Sequence, residues 1–152
     1  MVIETILLAI GPSDAKRADR LVEETIDVAG PTGATVVLGH VFTPDEYEET
    51  LDKLGINTTV REVSPDDVAS RQTTVRQIAE QFEETGINYE IRGAVGDHGK
   101  AIVDLANSVD ADRIIVGGRR RSPAGKAVFG SVAQEVMLSA PCPVTFVRSD
   151  TK

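Results

Sequence analysis

Residues 117–131, reading Gly-Gly-Arg-Arg-Arg-Ser-Pro-Ala-Gly-Lys-Ala-Val-Phe-Gly-Ser, gather the groups in this chain best suited to hold an anion. Glycine lets a backbone approach a ligand closely, and four cations, Arg119, Arg120, Arg121 and Lys126, can neutralise phosphate charge. Gly130 and Ser131 open a predicted helix, whose first N–H groups, with the Ser131 hydroxyl, can point at phosphate oxygens. Spacing alone leaves a second reading open, in which Gly130-Ser131 is only a helix cap and the arginines form a solvated loop paired with an acidic surface. The phosphate loop Gly-x-x-x-x-Gly-Lys-Ser/Thr is absent, which argues against an NTPase of that type.

Elsewhere the chemistry-bearing residues read as structural. His40 ends a predicted strand and is expected to be a satisfied interior residue, while His98 falls at a helix start, exposed or within a capping turn. Asp97 is first an N-cap and only second a ligand or magnesium contact. Cys142, the sole cysteine, lies between Pro141 and Pro143 and reads as a small buried residue with no activating base nearby in sequence. No Cys/His cluster has metal-ligand spacing and no nucleophile sits in a recognisable elbow, so neither catalytic residues nor an intrinsic metal site are expected.

These groups must be positioned by a regular alternation of elements. Glu4–Ile10 is an almost continuous apolar run ending at Gly11-Pro12, the pattern of a strand covered on both faces. Ser13 or Asp14 can cap a helix carrying Ala18, Leu21, Val22, Thr25, Ile26 and Ala29 on one side and ending at Gly30-Pro31. A second strand spans 34–42. The acidic stretch 45–63 is weakly patterned and reads as a long connection that can be partly helical and could fold over the sheet edge. Ser64-Pro65-Asp66-Asp67 starts a helix predicted to run on to Thr85-Gly86. Strands at 88–95, 113–116 and 144–148 follow, separated by helices from Gly96-Asp97 and from 131 to 140. Strands alternating with helices predict one α/β domain over residues 1–152, with a five-stranded, doubly wound parallel sheet and helices on both faces. Such a fold binds ligands beyond the carboxyl ends of its strands, where Gly11 and Gly117-Gly118 would face each other across a crevice.

Composition narrows the partners. A formal charge of −8 and a pI near 4.7 oppose sequence-independent binding to nucleic acid or an anionic membrane. Eleven of the sixteen basic residues are Arg, and the acids are spread along the helices, which suits either general solubility or a high-salt habitat. With no long apolar run and no basic segment ahead of an apolar one at Met1-Val2-Ile3-Glu4, the protein is expected in the cytoplasm.

Across its whole length the chain resembles the universal stress protein family. The family's nucleotide-binding members carry Gly, two residues, Gly, nine residues, then Gly-Ser or Gly-Thr after the fourth strand, and Gly117, Gly130 and Ser131 match in position. Ile6-Leu7-Leu8, His40-Val41, Gly96-Asp97 and Ala140-Pro141-Cys142-Pro143-Val144 support the likeness. The motif's second glycine is Arg120 here, and Gly11 replaces the acid that commonly follows the first strand and approaches the adenine. The resemblance implies a Rossmann-like sheet of order 3-2-1-4-5. It also implies ATP or another adenine nucleotide, with Mg2+, held by Ala9, Ile10, Gly11 and Val41 around the base. Gly117, Arg119, Arg120, Arg121, Ser122, Gly130, Ser131 and Val132 would surround ribose and phosphates. A homodimer formed through the last strand, Val144 to Arg148, is implied as well, together with a regulatory role in stress and a protein partner. The competing expectation is a dimeric interaction module of the same fold without a nucleotide. A weak ATP hydrolase is disfavoured by the lack of a general base and of a substrate domain.

Overall fold

Every predicted strand forms, and each is parallel to its neighbours. The structure, a computed structural model, describes residues 3–11, 14–56, 63–118 and 131–148. β1 (Thr5–Ile10) pairs with β2 (Thr35–Phe42) on one side and β4 (Arg113–Gly118) on the other; β3 (Tyr89–Val95) and β5 (Val144–Arg148) form the edges, giving the order β3-β2-β1-β4-β5. The chain lays strands outward from β1 to β3, then crosses back to β4, so the order reverses between β1 and β4.

Alternation along the strands fills two separate cores. Ile6, Leu8 and Ile10 pack with α1 (Ala18–Thr32) and α4 (Thr73–Thr85), through Leu21, Val22, Ile78 and Phe82. Leu7, Ala9, Val37 and Val41 face the other way, onto Ile102 and Ala106 of α5 (His98–Ser108) and Val136 of α6 (Ser131–Ser139). Among the described residues no helix is long and apolar enough to cross a membrane.

Two expectations about elements are corrected. A 3-10 turn at Asp14–Arg17 precedes α1, which has no side-chain cap and continues past Gly30-Pro31 to Thr32. Pro31 lies in the last turn, where the one backbone bond it forfeits is tolerated, and Gly33 closes the helix at φ 71°, its N–H reaching the Ala29 carbonyl at 2.9 Å. The acidic connection is partly helical, in line with its reading: α2 (Pro44–Lys53) is held by a capping box, in which Thr43 Oγ1 accepts the Glu46 N–H at 3.2 Å and Glu46 Oε1 accepts the Thr43 N–H at 2.9 Å.

The long helix expected from Ser64 is two helices, α3 (Pro65–Ser70) and α4, broken where Gln72 turns extended. Two separate destinations explain the break. Val68 and Ala69 pack on Phe42 and Leu51, whereas Val75, Ile78, Ala79 and Phe82 join the α1 core. α3 lies directly on β3: the Gly93 N–H donates to Asp66 Oδ1 at 2.6 Å, and a methyl group at Gly93 would strike the Pro65 carbonyl.

Candidate functional site

The switch point carries a cavity of about 170 Å3. Its floor is the carboxyl end of β1 (Ala9, Ile10) with Val41 of β2 and Val116 and Gly117 of β4; Gly11 rims it, and Ile102 of α5 and Val132 and Ala133 in the first turn of α6 close its side. Register explains the convergence, because Ala9 pairs with both Gly39 and Val116 and so sets Ile10 and Gly11 beside Gly117. The walls are mostly aliphatic, as a flat heterocycle requires. The first turn of α6, at the positive end of its helix dipole, borders the same space.

Of the residues named from sequence, Ala9, Ile10, Gly11, Val41, Gly117 and Val132 line this cavity together. Ser131 begins α6. Arg119, Arg120, Arg121, Ser122 and Gly130 lie outside the described residues.

Sequence reasoning missed Asp14, which reads as a helix cap but lines the cavity and is only 6% exposed. Its Oδ2 accepts the Gly11 N–H at 2.7 Å, the Asp14 N–H donates to the Gly11 carbonyl at 3.1 Å, and its Oδ1 pairs with the Arg17 guanidinium. Thus a carboxylate stands at the end of β1 although Gly11 is not acidic. Arg17 is equally buried and leans on Gly117, where a Cβ would come within 2.6 Å of Arg17 Cδ and 2.9 Å of Asp14 Oδ1. Gly117 is therefore required by the close approach of the ion pair, whatever else it contacts. An acid three residues after Gly11, followed by a basic residue at i+3, is the signal that could have revealed the arrangement.

Of the two histidines, His98 falls in the expected capping turn and His40 departs from expectation. His98 follows the Asp97 N-cap, whose carboxylate accepts the Lys100 N–H at 3.4 Å, but its ring lines the cavity and its Nε2 lies 2.7 Å from Glu46 Oε1. Burial tends to raise the Glu46 pKa, yet hydrogen bonds from the Thr43 backbone and from His98 outweigh it and hold the carboxyl below its ordinary value. His40, expected to be satisfied, is buried with no hydrogen-bond partner for Nδ1. Desolvation, opposed in part by Glu46 and assisted by His98, lowers its pKa to about 4, so the ring is neutral at pH 7. Cys142 is half-buried, and desolvation and the nearby Asp112 raise its thiol pKa, against a reactive thiolate. Among the described residues no cluster of His, Cys, Asp or Glu could hold a metal ion.

A parallel sheet of this order, with a cavity at its reversal, defines a doubly wound α/β protein. The chain belongs to the universal stress protein family, whose profile matches residues 3–148. It is 34% identical over 151 residues to a universal stress protein of Thermus aquaticus, covering 97% of this chain and 100% of that one. The universal stress protein of Archaeoglobus fulgidus solved in complex with dAMP aligns at 26% identity and a TM-score of 0.51, covering 97% and 100% of the two chains. A universal stress protein solved in complex with cAMP aligns at 21% identity and a TM-score of 0.66, covering 99% and 100%, a likeness of fold.

Proposed function

We propose that this chain is a nucleotide-responsive regulatory protein that binds an adenine nucleotide, ATP or a shorter relative, in the cavity between β1 and β4. The observation that carries the reading is the convergence of Ala9, Ile10, Gly11, Val41, Gly117 and Val132 on one mainly aliphatic cavity that also holds a buried carboxylate. The base would lie between the strand ends and Ile102, with Asp14 at its polar edge, and the ribose and phosphates would extend toward Ser131 at the start of α6. The relative bound to dAMP supports the same ligand class. Arg119, Arg121, Ser122 and Gly130 would complete the phosphate side, with Mg2+ arriving on the nucleotide. Among the described residues the cavity holds no nucleophile set against a base, which favours regulation over turnover. The response would pass to a partner through a homodimer built on β5.

One observation favours a second reading. The Asp14 carboxylate is already engaged by Gly11 and Arg17, so the pair could serve purely to close the sheet edge in a ligand-free dimeric module. Calorimetric titration with AMP and with ATP plus magnesium, at low and high salt, separates the two. Saturable binding that is lost in Gly130→Asp supports the nucleotide site. No heat of binding in a folded protein at either salt concentration supports the interaction module.

A further inference from the structure

α2 begins just beyond Val41 of the switch-point cavity, yet it is thinly attached to the rest of the fold. Leu51 is its one buried residue, and Tyr47 rests edge-on against Phe42 with ring centroids 5.4 Å apart. Toward the start of α4 a cleft of about 400 Å3 opens beside Glu49, Thr50 and Lys53, so that side of the helix has no packing support. A helix with so little buried surface opens at low free-energy cost. Among the described residues a single side-chain hydrogen bond ties α2 to another element, between Glu46 Oε1 and His98 Nε2 at 2.7 Å.

The two partners differ in firmness. His98 opens α5, which Asp97 caps and which packs onto the sheet through Ile102 and Ala106, and its ring is part of the wall of the switch-point cavity. Glu46 lies outside that cavity, and the same Oε1 also accepts the Thr43 N–H that starts α2. Its carboxyl, held below its ordinary value, is ionised at pH 7, and a carboxylate only accepts, so Nε2 is the donor. The bond is therefore charge-assisted and stronger than a neutral one. We propose that this contact is a latch through which occupancy of the switch-point cavity holds α2 closed. A ligand that fills the cavity packs against the His98 ring and limits its rotation, which keeps the donor aimed at Glu46. When α2 lifts, the ring loses that partner and the cavity wall is free to turn. By linkage, closure of α2 raises ligand affinity by the same factor by which ligand disfavours opening. The latch rests on the nucleotide reading and adds an output to it: α2, with Asp45, Glu48 and Glu49 exposed, becomes a surface whose order follows the nucleotide.

Full-length protein is followed by amide hydrogen exchange and 1H–15N spectra, with and without AMP. The amides of Val132 and Ala133 read filling of the cavity, and those from Tyr47 to Lys53 read opening of α2. At saturation AMP should slow exchange in α2 about fivefold or more, the low end of couplings between sites. His98→Phe keeps a ring against the cavity and removes the bond: α2 should exchange faster in the free protein, and AMP that still shifts Val132 and Ala133 should no longer protect it. Glu46→Gln keeps the capping box, which glutamine also completes, and weakens the bond to His98. Its AMP affinity should fall about fivefold, although Glu46 is no part of the cavity wall. Where His98→Phe loses AMP altogether, Glu46→Gln carries the test alone. The proposal is overturned by α2 exchange that AMP leaves unchanged while Val132 and Ala133 respond, or by variants protected as fully as the wild type. No AMP response at Val132 and Ala133 in the wild type overturns the nucleotide reading and the latch with it, so the two failures are told apart by which amides stay silent.

Discussion

Breaking the Asp14–Arg17 pair tests whether the switch point is held by buried charge. Both side chains are 8% exposed, so removing one withdraws a buried counter-charge from the other, a change that costs about 3–5 kcal/mol in other buried pairs. Asp14→Ala should fall at the upper end, because it also releases the Gly11 N–H now bonded at 2.7 Å. Arg17→Met should fall near ~3 kcal/mol, since methionine keeps the apolar contact against Gly117 and Asp14 keeps Gly11. The double variant should cost much less than the sum, with a coupling of roughly 2–3 kcal/mol. With a urea dependence of ~1–3 kcal/mol per molar, each single change should lower the unfolding midpoint by about 1–5 M. Circular dichroism in urea at pH 7 and one fixed protein concentration measures all four corners of the cycle, which keeps any association constant between them. Single losses below ~1 kcal/mol, or strict additivity, would refute the reasoning and reduce the pair to a surface contact.

Gly93→Ala should cost about 3 kcal/mol or more, because the added methyl meets the Pro65 backbone rather than a movable side-chain tip; a Tm drop of ~6–12 °C by calorimetry checks it. His40 titrates near its ordinary 6.5 when unfolded and at about 4 when folded, so the unfolded chain binds the extra proton between those values. Stability should therefore be full above pH 6.5 and fall by about 3 kcal/mol as pH drops to 4, and His40→Phe should flatten that stretch of the urea-midpoint profile. Glu46, held below its ordinary 4.5, adds a separate loss that begins only under that value. Val144→Pro, on the edge strand proposed to pair with its two-fold mate, should halve the mass seen by light scattering; an unchanged dimer would move the interface elsewhere.

The strands were legible because burial on both faces leaves a strong mark. Ile6 to Ile10 are at most 5% exposed, and a run so apolar between turn residues has few other uses. Helix ends were less legible where they depend on distant packing. Nothing local in Arg71-Gln72 announces a break; it follows from Val68 and Val75 serving different cores, which is a property of the assembled sheet. At Pro31 the local rule was followed too strictly, since a proline in a last turn costs one bond and not the helix. α2 was legible only as a partly helical stretch, without bounds, because of its acidity: only Leu51 is buried in it, and its stability begins with the Thr43–Glu46 box, a pattern plain in the sequence once an N-cap is sought there.

The site shows a different limit. A motif read position by position finds Gly11 where an acid commonly stands and concludes that the carboxylate is gone. Space is filled by atoms rather than positions, and the tight turn from Gly11 to Asp14 carries a carboxylate back to the strand end three residues later. That placement is bought with a buried cation, because an unpaired carboxylate there would be poorly solvated, and Arg17 at i+3 supplies it. Its bulk in turn demands a glycine on β4, so Gly117 is held by two constraints at once: clearance for Arg17 and access to the cavity. The glycine that most strongly suggests a ligand is therefore weak evidence for one by itself. What separates ligand from scaffold is Arg17: a side chain that serves only as a counter-ion stays paired when nucleotide is added, and one that belongs to the site changes its environment with saturation.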